Sequence, residues 1–346
     1  MYALELSRMG HSVTLFSKLT RGGDIEGVCC CHYSEWDSIY KHQRWDALCS
    51  WMLPDPLEVA NPESFRFYNQ QVSDFNMCHN GWESKVDFVA PLSHSHARHM
   101  LPQCSLPKNK WKVMYNGVDS NSFRPLDKVP GKVVWASSHD RGLHWLLELW
   151  PKVRQAVPHA NLHVFYDFNG LNMFSRWENT PTDNLIDQEC AELGQRSRYI
   201  IEALHRLEPH GVFTHQSVSR ERICQEMGSA EVLAYPCDPV HYTETFGVTV
   251  LEACASGAVP VICTADAFGE LWGNVSLSVP PPFKQNKQAF VTNLINILTD
   301  SNLREKLSNA CVKYAASFDW KSLTQYFSTF LESRGAAGLL EVQWEE

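Results

Sequence analysis

From residue 132 onwards the chain repeats one pattern: a short apolar run, then a stretch with apolar residues at helical spacing. No other feature limits its fold as tightly. GKVVWAS reads as a strand, and RGLHWLLELWPKVRQAVP as a helix with one apolar face. NLHVFYDF (161–168) is a second strand and residues 184–207 a long helix. GVFTH, EVLAYP and VPVIC are three more strands separated by helices. Strands alternating with helices of this length join through right-handed crossovers into a parallel sheet.

The first part alternates in the same way. MYALELSRMG reads as a helix closed by Gly10, and HSVTLF as the strand after it. Strand candidates follow at 45–51, 64–69 and 85–92, then Ser93 caps a helix from His94 to Met100. Residues 111–119 read as a strand ending in an Asn-Gly turn. SNSFRPLDKVPG, rich in proline and turn formers, reads as a linker. The expected division is an α/β N-terminal domain over 1–119, a linker over 120–131 and an α/β C-terminal domain over 132–317, with a cleft between the domains. A doubly wound domain opens on a central strand and a glycine turn. This chain starts inside the helix that follows, so the N-terminal domain is expected to lack its first strand.

With 346 residues the chain is too long for one small core, and its 20% charged residues are ordinary for a soluble protein. The net charge of −9 is uneven: residues 1–125 carry 12 Lys+Arg against 13 Asp+Glu (−1), and 126–346 carry 18 against 26 (−8). Neither part has a basic stripe, which argues against nucleic acid as a partner. No apolar run approaches the ~20 residues needed to span a bilayer, and no signal peptide is visible; peripheral membrane association stays open. The twelve cysteines are scattered, and Cys29-Cys30-Cys31-His32 lacks the spacers that let side chains converge on zinc. A reducing, cytoplasmic compartment is expected.

The segment ETFGVTVLEACASGAVPVI (244–262) keeps two glutamates in an otherwise apolar run. Glu252 must sit on a helix with almost no polar face, where a carboxylate needs a hydrogen-bond partner. The helix starts near Gly247, so Phe246, Gly247 and Val248 would aim backbone N–H groups at an anion or at sugar hydroxyls. Two vicinal hydroxyls can donate to one carboxylate, which makes a diol the natural partner for each glutamate. The competing readings are a Glu252 paired with a buried Arg or Lys and a solvated Glu244. His94, His96 and His99 read as a solvated helix start, and Trp135, Trp145 and Trp150 as packing.

The Glu-x7-Glu block ETFGVTVLE, followed by A-x-A-x-G-x-P-V, resembles the retaining GT-B nucleotide-sugar glycosyltransferases of family 4. VDFVAPLSHSHARHML, YNGVDSNSFRP, SSHDRGLHWLLELWPKV and FDWKSLTQYFSTFL extend the resemblance over almost the whole chain. It implies two Rossmann-like domains facing across a cleft, with a C-terminal helix and tail (318–346) packing back on the N-terminal domain. It implies a hexosyltransferase that takes a nucleotide-diphosphate sugar (UDP-sugar first, GDP-sugar second) and a hydroxyl acceptor, with no further cofactor. By the same resemblance Glu244 and the backbone of Thr245, Phe246 and Gly247 would hold the donor sugar, and Glu252 the ribose. Val248 and Thr249 would lie near the diphosphate. Arg141, followed by Gly142, stands where the family has Lys-Gly and would neutralise the leaving diphosphate. The strand end 214–216, with His215, would lie beside the base, and Glu270 would give structural support. Where the family carries a further Arg, this chain has Ala136 and Ser137, so Ser137 and Ser138 can offer only uncharged donors. The N-domain histidine often found near the acceptor has no clear counterpart. No Asp-x-Asp pair occurs, so no metal site is expected. The alternatives are a donor-binding GT-B protein with little transfer activity, or an epimerase or phosphorylase on the same fold.

Overall fold

All residues except 77, 183 and 346 are described by the computed structural model, which divides into two units: Met1–Gly117 with Phe318–Glu346, and Val118–Ser317. In the first unit the helix Tyr2–Arg8 ends where the chain turns through Gly10 at φ +96°, and His11 N returns to Leu6 O at 3.1 Å. This reversal satisfies the helix's last carbonyls and needs glycine's left-handed backbone. Strand β1 (Val13–Ser17) follows, then β2 (Gly23–Ile25) and β3 (Val28–His32). They form a sheet in the order β1-β3-β2, with β1 and β3 parallel and β2 antiparallel to β3. The cysteine run 29–31 therefore lies on a strand, with Cys30 and Cys31 buried and Cys29 exposed. Strands β4 (Ala47–Trp51), β5 (Phe65–Asn69) and β6 (Phe88–Ala90) form a second, parallel sheet in sequence order.

Ser93 caps the helix His94–Met100 by accepting His96 N on its hydroxyl at 3.0 Å. The expectation of solvated histidines fails here. His96 is fully buried; its Nδ1 accepts Leu92 N at 3.2 Å and its Nε2 lies 3.0 Å from Val72 O. Burial pushes its pKa down to about 3, so the ring is neutral, donating at Nε2 and accepting at Nδ1. His99, one turn on, reaches Ser73 O at 3.0 Å. The two rings pin the 72–73 loop. The strand expected at 111–119 shrinks to β7 (Lys112–Val113), because Met114 N already turns to Pro91 O.

The second unit is one six-stranded sheet: β8 (Lys132–Trp135), β9 (Asn161–Tyr166), β10 (Val212–Gln216), β11 (Val232–Tyr235), β12 (Val259–Cys263) and β13 (Leu277–Val279). Every pair is parallel and the order is β10-β9-β8-β11-β12-β13. β8, β11 and β12 are buried along their whole length, which is why they read as continuous apolar runs rather than alternating ones. Trp135 and Trp150 are fully buried packing residues. Residues 120–131, expected as a linker, pack within this unit: Leu126 N and Val129 N donate to Gly228 O and Ser229 O at 3.0 and 2.9 Å. A turn-rich chain with unpaired N–H groups finds acceptors at the end of the helix Arg220–Ser229. Beyond Ser317 the helix Trp320–Glu332 lies in the first unit, with Phe330 against Phe67 (5.1 Å between ring centres) and Trp320 against Tyr2 (4.9 Å). Strand β14 (Leu340–Glu341) pairs antiparallel with β7.

Candidate functional site

The strand order places the direction change of the sheet between β8 and β11. Loops leaving the carboxyl ends of two such strands diverge and open a crevice, where open α/β sheets bind ligands. The loops here are 136–142 and 236–247. They meet at Gly142, whose backbone has φ +112° and whose missing Cβ would lie 2.0 Å from Pro236 O. Asp238 N also donates to Arg141 O at 3.3 Å. Only glycine permits this approach, and it sets Arg141 beside the second loop.

There Arg141 meets Glu244. The carboxylate is buried (3% exposed), and Arg141 Nη1 donates to its Oε1 at 2.6 Å. Tyr235, the last residue of β11, donates its hydroxyl to the same oxygen. Arg141 Nη2 also reaches Thr243 Oγ1 at 3.3 Å. The backbone is fixed as well: Thr243 N and Glu244 N both donate to Asp266 Oδ2 at 2.9 Å. Burial by itself would lower the pKa of Arg141, but Glu244 and Tyr235 outweigh it and hold it above the ordinary value. Burial first, and the charge of Glu244 second, push Tyr235 well above the usual phenol range. The cluster is a fixed cation, a phenol that stays protonated, and a carboxylate.

The helix Val248–Ala255 starts from Gly247 at φ +84°, with no side-chain cap on its first turn. Thr249 Oγ1 donates to Ala136 O at 2.7 Å, tying the helix start to the loop after β8. Val248 is 40% exposed at this end. Thr245 and Phe246 are buried, and Phe246 O accepts Trp272 Nε1 at 2.7 Å, so that carbonyl is turned into the core.

Glu252, one helical turn further in, is 9% exposed, and its Oε1 accepts Arg220 Nη2 at 3.2 Å. A cation therefore does face Glu252, as in the competing reading, but Arg220 is not buried: its side chain is 67% exposed and lies over Phe123 at 5.0 Å. Burial raises the pKa of Glu252, with Arg220 opposing. Ser137 Oγ joins the Glu244 cluster through the hydroxyl of Tyr235 at 2.6 Å. Ser138 does not; its hydroxyl donates to Asp140. His215 lies on β10, two strands away from β8, with Nε2 3.0 Å from His163 Nδ1 and its ring stacked on Phe165 at 4.3 Å.

The structure thus brings Ser137, Arg141, Gly142, Glu244 and Thr249 together. Sequence reasoning missed Tyr235, Asp266 and Arg220. Tyr235 reads as one more apolar strand residue in EVLAYP, and nothing local to Asp266 or Arg220 signals a partner tens of residues away. Among the described residues no group of three or more His, Cys, Asp or Glu is placed to hold a metal ion. No helix of the described residues is long and apolar enough to cross a membrane.

A family model described as "Glycosyl transferases group 1" matches residues 134–314. Phosphatidyl-myo-inositol mannosyltransferase from Mycobacterium tuberculosis is 27% identical over 236 residues, 64% of this chain and 54% of that protein. The chain therefore spans about half the length of the curated relatives it matches. Among solved structures, a glycosyltransferase from Rickettsia africae superposes with a TM-score of 0.70 at 14% identity, covering 96% of this chain and 93% of that one. Sucrose-phosphate synthase from Thermosynechococcus elongatus does so with a TM-score of 0.67 at 12% identity, covering 96% and 91%. The fold is GT-B.

Proposed function

Because the chain belongs to the glycosyl transferases group 1 family, we propose that it moves a hexose from a nucleotide-diphosphate sugar to a hydroxyl acceptor. Transfer proceeds with retention of configuration and without a metal; UDP-sugars are the first donors to test and GDP-sugars the second. The observation that supports this most is Glu244: a buried carboxylate at the switch point, held through Oε1 by Arg141 and Tyr235, with no donor on Oε2 among the described residues. Such a carboxylate is suited to accept from sugar hydroxyls. Beside it, the uncapped start of the 248–255 helix and Arg141 offer donors and positive charge for a diphosphate. In this reading Arg141 is shared between Glu244 and the diphosphate once donor binds.

As the bond between the anomeric carbon and the diphosphate oxygen breaks, Arg141 and the helix terminus stabilise the charge that develops on the leaving group. The acceptor oxygen bonds to the anomeric carbon from the same face, and its proton passes to the leaving diphosphate. No enzymic nucleophile is needed. Glu252 takes the ribose hydroxyls, and binding there must compete with Arg220 for the carboxylate. The mannosyltransferase relative is consistent with a hexose as the transferred group.

The test is transfer from a panel of UDP-, GDP- and ADP-sugars, with the anomeric configuration of the product read by NMR. Glu244→Ala should abolish transfer and leave free nucleotide binding nearly intact, whereas Glu252→Ala should weaken nucleotide binding itself. If calorimetry finds both variants binding nucleotide like wild type, the role given to Glu252 is wrong.

A further inference from the structure

Two donors converge on one oxygen of Glu244. Arg141 Nη1 and the Tyr235 hydroxyl both reach Oε1, while no donor among the described residues reaches Oε2. Tyr235 has little freedom to do otherwise. It is 1% exposed, with its ring edge-on to Trp135 (4.7 Å between ring centres) and to Phe268 (5.2 Å). Its hydroxyl carries a single hydrogen, and a carboxylate oxygen can only accept, so that hydrogen goes to Glu244. Ser137 Oγ, 2.6 Å away, must then donate to the phenolic oxygen. The Ser137 carbonyl is itself held by Trp135 Nε1 at 3.1 Å. A hydrogen-bond chain thus runs from β8 through β11 into the carboxylate.

We propose that Tyr235 is a positioning residue for glycosyl transfer: it anchors Oε1 of Glu244, so that Oε2 is the oxygen presented to the hydroxyls of the donor sugar. The proposal rests on the reading of Glu244 as the donor-sugar ligand. Arg141 cannot do this alone, because in that reading it is shared with the diphosphate once donor is bound. Tyr235 has no second claim on its hydrogen, so its hold on Glu244 counts most in the loaded site. Burial keeps the phenol protonated throughout the working pH range.

Tyr235→Phe removes one oxygen and keeps the ring. Turnover should fall about 10- to 100-fold, the loss expected for one hydrogen bond to a charged group. Affinity for the free nucleotide diphosphate, read by calorimetry, should stay within about twofold, because that ligand does not touch Glu244. A merely structural role would lower both together. In the Glu244→Ala background, which leaves no oxygen for Tyr235 to hold, the same Tyr235→Phe change should cost no further affinity for an intact nucleotide sugar, since the two residues act as one unit. Wild-type turnover in Tyr235→Phe, or losses in the two variants that simply multiply, overturns the proposal while leaving the functional reading intact. If the wild-type chain neither binds nor transfers from any nucleotide sugar, the functional reading fails and this proposal fails with it.

Discussion

Gly142→Ala tests how the two halves of the site are joined. An added Cβ would lie 2.0 Å from Pro236 O, 3.0 Å from Pro236 C and 3.3 Å from Asp238 N, all backbone atoms. Carbon rarely approaches a carbonyl oxygen closer than about 3.3 Å, so the loops after β8 and β11 must separate by roughly 1 Å. No rotamer change can relieve this clash. The backbone at φ +112° adds strain of its own for any residue with a Cβ. Backbone strain of about 1–2 kcal/mol and overpacking of about 1–3 kcal/mol give a loss of roughly 2–5 kcal/mol. For a unit the size of 118–317 that lowers the melting temperature by on the order of 10 °C. Separation would also draw Arg141 away from Glu244, so nucleotide affinity should fall in the molecules that remain folded. Thermal melting followed by circular dichroism, with calorimetric nucleotide titration below the transition, measures both effects. A variant within about 0.5 kcal/mol of wild type, as for an ordinary surface change, with unchanged nucleotide affinity would refute the close-approach argument.

Two further outcomes follow from buried titrating groups. Burial raises the pKa of Glu252 above 4.5 and Arg220 opposes it, so nucleotide affinity should weaken on acidification at a higher pH than an ordinary glutamate would give. Arg220→Gln should move that weakening to still higher pH, and an unmoved midpoint in titrations between pH 4.5 and 8 counts against a ribose role for Glu252. The same shift makes the folded chain hold this proton more tightly than the unfolded one, so the group's contribution to stability falls as pH rises from 4.5 through its folded value. His96 has the opposite sign. Its pKa is about 3 folded against 6.5 unfolded, so its stabilisation is full above pH 6.5 and is lost by roughly 1.4 kcal/mol per pH unit as pH falls towards 3. Urea titrations from pH 6.5 to 4 should show a shallower pH slope in His96→Gln, with the remaining slope coming in part from the buried His144 and the half-buried His163.

Local pattern carried much of the fold because burial leaves a periodic trace. β8, β11 and β12 are buried on both faces and appear as unbroken apolar runs, and the helix Leu143–Ala156 shows its apolar face at helical spacing. β2 and β3 left no such trace: GDI is exposed throughout, and the cysteines of β3 are small, ambiguous apolar residues. The histidines of 94–99 misled for a related reason. Polar side chains at a helix start look solvated until the 72–73 carbonyls that satisfy them come into view.

By itself the sequence determined that the chain alternates strand and helix, that a helix begins after Gly247, and that carboxylates flank its start at 244 and 252. These are local properties, written in side-chain periodicity and in the few residues that can reverse or start a helix. Only the tertiary structure decided who meets whom. Arg141 and Glu244 are 103 residues apart in sequence and touch because β8 and β11 are neighbours in the sheet. Strand order is a property of the whole fold, set by how the helices cover both faces, and no window of residues encodes it. For the same reason, the division of labour between the two oxygens of Glu244 depends on a tyrosine that, in sequence, is one more apolar residue on a buried strand.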